Sequence, residues 1–114
     1  PEREAYYAVE TEPRPAEHHR IVFRDVPVDA FWSFTVYNRE GYLEADPSGR
    51  CSYNGVTATP DGDGSVTIDL DTTDRGYRNH LPVVDGWNYA IRMYRPRAEI
   101  LEGRWSPPVP VAVP

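Results

Sequence analysis

Apolar and polar residues alternate along much of this chain with the period of two that belongs to strands. In the run from Val26 to Tyr42, Trp32, Phe34 and Val36 share one face, while Phe31, Ser33, Thr35 and Tyr37 share the other. Both faces carry aromatic mass, so the run reads as one inner strand, closed by the turn chemistry of Asn38-Arg39-Glu40-Gly41. Trp87, Tyr89, Ile91 and Met93 alternate with Asn88, Ala90, Arg92 and Tyr94, which predicts a second long strand. His19 to Arg24 alternates in the same way around Ile21 and Phe23. After the turn Pro60-Asp61-Gly62-Asp63-Gly64, Val66, Ile68 and Leu70 alternate with Thr67, Asp69 and Asp71, giving a strand with one wet face. Cys51 to Thr59 predicts a short irregular strand, broken at Asn54-Gly55.

Between these runs the chain reads differently. Residues 1–17 form an N-terminal extension, in which proline and glutamates suit the first turn of a short helix over residues 1–9 and a loop follows over Glu10 to Glu17. Residues 43–50 and 72–86 read mostly as loops. Pro96 to Gly103 permits one helical turn, with Ile100 and Leu101 tucked inward and Gly103 stopping it. The proline-rich tail, 107–114, suits a polyproline ligand or, as favoured, an extended strap along the domain or a frayed terminus. Many strands and little helix predict one all-β domain over 1–114. Long connections point to a jelly-roll-like two-sheet β-sandwich with a short N-terminal helix or turn.

Composition sharpens this picture. Twelve valines against four leucines, with eight tyrosines and twelve prolines, favour strands and turns. A net charge of -6 without a basic cluster argues against nucleic acid and anionic membranes as partners. All twelve basic residues are arginine. No apolar run approaches the roughly 20 residues of a membrane helix. Cys51 is the only cysteine, which rules out an internal disulfide and leaves the compartment open. The sequence starts at Pro1 without a methionine, so a processed or excised piece is expected.

No motif specifies a chemistry. Asp61, Asp63 and Ser65 lack the spacing of the twelve-residue calcium loop and read as a hairpin turn. Adjacent His18 and His19 point to opposite faces of a strand, so no shared metal is expected of them. Neither Ser33 nor Ser52 sits in a nucleophile elbow. No catalytic residues, metal or cofactor are therefore assigned. Arg92 stands out, because an arginine among aromatics holds a carboxylate, stacks on a ring, or pairs with an acidic side chain of its own chain, the last being favoured in so acidic a protein. The candidate ligand-binding residues are Arg92, Tyr94, Tyr37, Asn38 and His80.

Several ordered segments carry a resemblance: Val26-Pro27-Val28-Asp29 before Phe31-Trp32-Ser33-Phe34, Asn79-His80-Leu81-Pro82, Gly86-Trp87-Asn88-Tyr89 and Arg92-Met93-Tyr94-Arg95-Pro96-Arg97. With Ile100-Leu101-Glu102-Gly103-Arg104-Trp105, the chain from about Tyr6 to Pro108 resembles the bacterial domain of unknown function 1214 family. The resemblance implies a jelly-roll sandwich, often the C-terminal half of a longer protein whose N-terminal half is the domain of unknown function 1254. It supplies no catalytic residues, and Cys51-Ser52-Tyr53-Asn54-Gly55 departs from the more usual Tyr-Ser-Leu-Asn-Asn type. The expected function is a non-catalytic sandwich that binds a small ligand or a partner, such as an upstream domain or a second copy, or that scaffolds an assembly. The alternative is a small hydrolase or lyase with a pocket at the sandwich mouth around Arg92, Tyr94, Tyr37 and His80.

Overall fold

In the computed structural model, residues 5–38 and 51–114 are described. Eight strands and one short helix follow in the order β1 (Ala5–Arg14), β2 (His19–Phe23), β3 (Trp32–Tyr37), β4 (Ser52–Asn54), β5 (Val66–Asp71), β6 (His80–Pro82), β7 (Trp87–Tyr94), α1 (Ala98–Leu101) and β8 (Val111–Ala112). They form two four-stranded sheets, ordered β1-β7-β3-β4 and β6-β5-β2-β8. The chain crosses repeatedly from one sheet to the other, as expected of a sandwich and unlike a meander. β3 and β7 lie antiparallel at the centre of the first sheet, with Phe34 opposite Ile91 and Val36 opposite Tyr89.

The alternating apolar residues meet between the sheets. Trp32, Phe34, Trp87, Ile91 and Met93 from one side and Ile21, Phe23, Ile68, Leu70 and Leu81 from the other make one buried cluster. Phe23 stacks on Trp32 with ring centroids 4.2 Å apart, joining the sheets face to face. Buried Asn79 fastens the neighbouring turn: its Oδ1 accepts from Thr59 N at 2.7 Å, and its Nδ2 donates to the carbonyls of Thr59 and Thr67 at 2.9 Å. Asp61 Oδ2 likewise accepts from Ser65 Oγ and Thr67 Oγ1; the turn expected here as a hairpin instead carries the chain from β4 in the first sheet to β5 in the second.

The N-terminal extension is corrected. Ala5 to Arg14 is not helix and loop but the edge strand β1, paired with β7 from Ala5 opposite Tyr94 to Glu10 opposite Tyr89. A lone turn of helix offers few hydrogen bonds, whereas the open edge of β7 offers a ladder and a place for Tyr6 and Ala8 against the core. The long strand also begins later than expected, at Trp32. Before it, Asp25 adopts a φ of 46° and Val28 makes only an isolated bridge to Pro96. The loop expected over 72–86 contains β6, which pairs parallel to β5. In α1 only Ile100 is buried, Leu101 facing solvent, and Gly103 ends the turn with a φ of 75°. The tail is a strap: β8 pairs with β2, and Val113 N donates to the His18 carbonyl at 2.9 Å. The expected turn and loop from Arg39 to Arg50 lie outside the described residues.

Candidate functional site

Strand alternation gives the first sheet an outer face that mirrors its buried one. β7 contributes Asn88, Ala90, Arg92 and Tyr94, and β3 contributes Phe31 at its mouth, then Ser33, Thr35 and Tyr37. β1 adds Ala5, Tyr7 and Val9, and β4 adds Ser52 and Asn54. Tyr7 is 58% exposed, Val9 63% and Phe31 47%, so this face presents apolar and aromatic surface to solvent. None of these outward positions is acidic, in a chain with 18 acidic residues.

Arg92 sits in the middle of that face, half-buried. Its Nη2 donates to the Tyr37 hydroxyl at 2.8 Å, and its guanidinium carbon lies 5.9 Å from the Tyr7 ring centroid. The bond that Arg92 donates to the Tyr37 hydroxyl outweighs burial and raises the guanidinium above its ordinary pKa. The pairing with an acidic side chain favoured from composition is not found: among the described residues no carboxylate bridges to Arg92. Phe31 and Tyr94 stack beside it, with centroids 4.5 Å apart and planes at 30°. Asn38 follows Tyr37 at the end of β3 and is half-buried. Four of the five sequence candidates, Arg92, Tyr37, Asn38 and Tyr94, thus belong to the first sheet.

His80 does not join them. It stands on β6, opposite Asp69 of β5, in the second sheet. There it belongs to a polar strip that sequence reasoning missed. Asp69 Oδ1 accepts from His18 Nε2 at 2.7 Å and from Arg20 Nε at 2.8 Å. Asp71 Oδ2 accepts from the Tyr77 hydroxyl at 2.6 Å and from Arg75 Nε at 3.2 Å, while Oδ1 accepts from Thr72 N. The Tyr77 ring lies between His18 at 5.0 Å and His80 at 5.8 Å, and His80 Nε2 donates to the Asp71 carbonyl at 3.0 Å.

Asp69 and Asp71 are 5% and 6% exposed, yet each carboxylate has partners within the chain. Burial pushes the Asp71 carboxyl up, but bonds from Tyr77, Thr72 and Arg75 outweigh it and hold the pKa below the ordinary carboxylate value. The same bond to Asp71 raises the Tyr77 phenol. The one available sequence signal was the alternation Thr67, Asp69, Asp71, read as a wet face. Its partners His18, Arg20 and Tyr77 come from other segments, which only pairing brings together. His19, as expected of adjacent strand positions, points the other way and meets Trp87 edge-on at 5.3 Å.

Cavities add little chemistry. A groove of about 430 Å³ runs along the tail, lined by Arg20, Val22, Pro108, Val109, Val111 and Val113 among others. Its one charged group, Arg20, is already bonded to Asp69. Cys51 is half-buried; its carbonyl accepts from Val36 N at 3.1 Å.

A family model described as "Protein of unknown function (DUF1214)" matches residues 8–98. Two solved structures share the fold. The VPA0106 protein from Vibrio parahaemolyticus superposes with a TM-score of 0.85 at 24% identity, over 97% of this chain and 31% of that one. A putative uncharacterized protein from Burkholderia cenocepacia superposes with a TM-score of 0.65 at 21% identity, over 96% of this chain and 28% of that one. The chain therefore spans under a third of either protein. No curated protein matches it.

Proposed function

The chain belongs to the DUF1214 family, whose description assigns no activity, and we propose that it is a ligand-binding module with the outer face of the first sheet as its recognition surface. The observation that carries this reading is Arg92, half-buried among Tyr7, Tyr37 and Tyr94 with no described carboxylate to neutralise it. An arginine with an exposed tyrosine and phenylalanine and two half-buried tyrosines around it presents the side chains that dominate recognition surfaces, because they offer large rigid contact area and directional donors. The interior is filled by Phe34, Trp87, Ile68 and Leu81, which leaves the outer surface as the place for a ligand.

The enzyme alternative needs Arg92, Tyr94, Tyr37 and His80 to converge, and it is disfavoured by the position of His80 on the second sheet. The His18–Asp69 pair has acid–base character, but both partners of Asp69 are committed to it. Titration with phenol and indole as neutral aromatic probes, followed by two-dimensional NMR, tests the surface. Saturable shifts are expected at Tyr7, Phe31, Arg92 and Tyr94. Probes that settle only in the groove along the tail, or nowhere, would overturn the proposal, and contacts from an upstream domain or a second copy would appear as protection of the same residues.

A further inference from the structure

Resting on that reading of the surface, we infer that the ligand is a small aromatic carboxylate, held through its anionic group by Arg92 and through its ring by the Phe31–Tyr94 stack. A guanidinium has five N–H donors in a planar fork. Among the described residues, one hydrogen bond of Arg92 is formed, from Nη2 to Tyr37, and that bond fixes the fork without neutralising it. The Tyr37 hydroxyl accepts this bond, so its own proton is available to a ligand oxygen beside the guanidinium. Charge complementarity points the same way. Among the described residues, the outward positions paired across β1, β7 and β3 from Ala5 to Val9 hold a cation and no acid, so a carboxylate meets Arg92 there without repulsion from those neighbours.

On the second sheet, by contrast, Arg20 and Arg75 are each bonded to an aspartate of the chain itself. A carboxylate is the planar, bidentate partner that the free edge of a guanidinium fits, and lysine would not reproduce the geometry. The ring preference follows from the aromatic side chains around the guanidinium: the exposed Tyr7 ring lies 5.9 Å from its carbon, and Tyr94 follows Arg92 by two positions on the same face of β7. The Phe31–Tyr94 pair, at 4.5 Å, provides the aromatic surface on which that ring packs.

The experiment compares benzoate with its neutral isostere benzamide by NMR titration of the protein and of Arg92→Gln, Arg92→Lys and Tyr37→Phe. Benzoate is expected to bind the wild-type face about ten-fold more tightly than benzamide. Arg92→Gln should abolish that preference, Arg92→Lys should keep only part of it, and Tyr37→Phe should weaken benzoate more than benzamide. Equal affinity of both probes at this face overturns the carboxylate assignment while leaving the recognition surface standing. Failure of both probes to shift the face at all overturns both. The wild-type comparison decides the question even if a variant does not fold.

Discussion

The two outer faces of this sandwich are each built on four strands, yet they solve opposite problems. On the second sheet every described charge at the centre is answered within the chain: Asp69 by His18 and Arg20, Asp71 by Tyr77 and Arg75. On the first sheet the central charge, Arg92, is answered by a hydroxyl and a ring face, and its neighbours Tyr7, Val9 and Phe31 are exposed apolar groups. A face whose polar groups are mutually satisfied gains nothing by meeting a ligand. One that leaves a fixed cation beside uncovered aromatics does. Charge count alone would have assigned interest to the second sheet, where titratable groups crowd. Satisfaction of hydrogen bonds assigns it to the first.

The largest expected effect tests what the two faces share. Trp32 is buried against Phe23, between the sheets. Trp32→Ala should therefore cost roughly 3–5 kcal/mol in urea unfolding. A cost below 1 kcal/mol would remove the common core on which both faces rest.

Next comes the contrast itself. Asp69→Ala strips the acceptor from His18 and Arg20 and should cost about 1–3 kcal/mol. Arg92→Gln, which breaks one bond to a half-buried hydroxyl, should stay within about 0.5 kcal/mol. Equal losses in the two variants would make Arg92 a structural residue and erase the distinction between the faces.

The smallest effect is a pH dependence. Asp71 has a folded pKa held below its unfolded value of about 3.9, so its contribution to stability is present above that value. It is lost as pH falls through the depressed folded pKa. Asp71→Asn should make the decline of Tm between pH 7 and pH 3 shallower by about 2 °C, measured by calorimetry. An unchanged slope would mean that the bonds from Tyr77 and Arg75 do not stabilise the second face.

Much of the fold was legible because alternation reports burial directly. Trp32, Phe34 and Val36, and Trp87, Tyr89, Ile91 and Met93, are the inward residues of the two central strands, as their spacing required. Residues 5–14 were misread because nothing local distinguishes a helix start from an edge strand there; the deciding hydrogen bonds come from β7, more than 70 residues away. β6 was missed because its three residues are too few to show a period and gain their ladder only from β5. The candidate site divides in the same way. Arg92, Tyr94, Tyr37 and Asn38 could be picked out because they lie in or beside the strongly periodic strands β3 and β7. His80 was grouped with them only as a scarce residue type.

By itself, then, the sequence determined that the chain is a β-sandwich and which faces of its long strands are buried, since a period of two and bulky side chains leave no other arrangement for that surface. Only the tertiary structure decided which charges are satisfied. An arginine's partners lie on neighbouring strands and distant turns, and whether a carboxylate reaches it depends on register. Register set Arg20 opposite Asp69 and Arg92 opposite Tyr7, with Tyr37 within reach of the guanidinium.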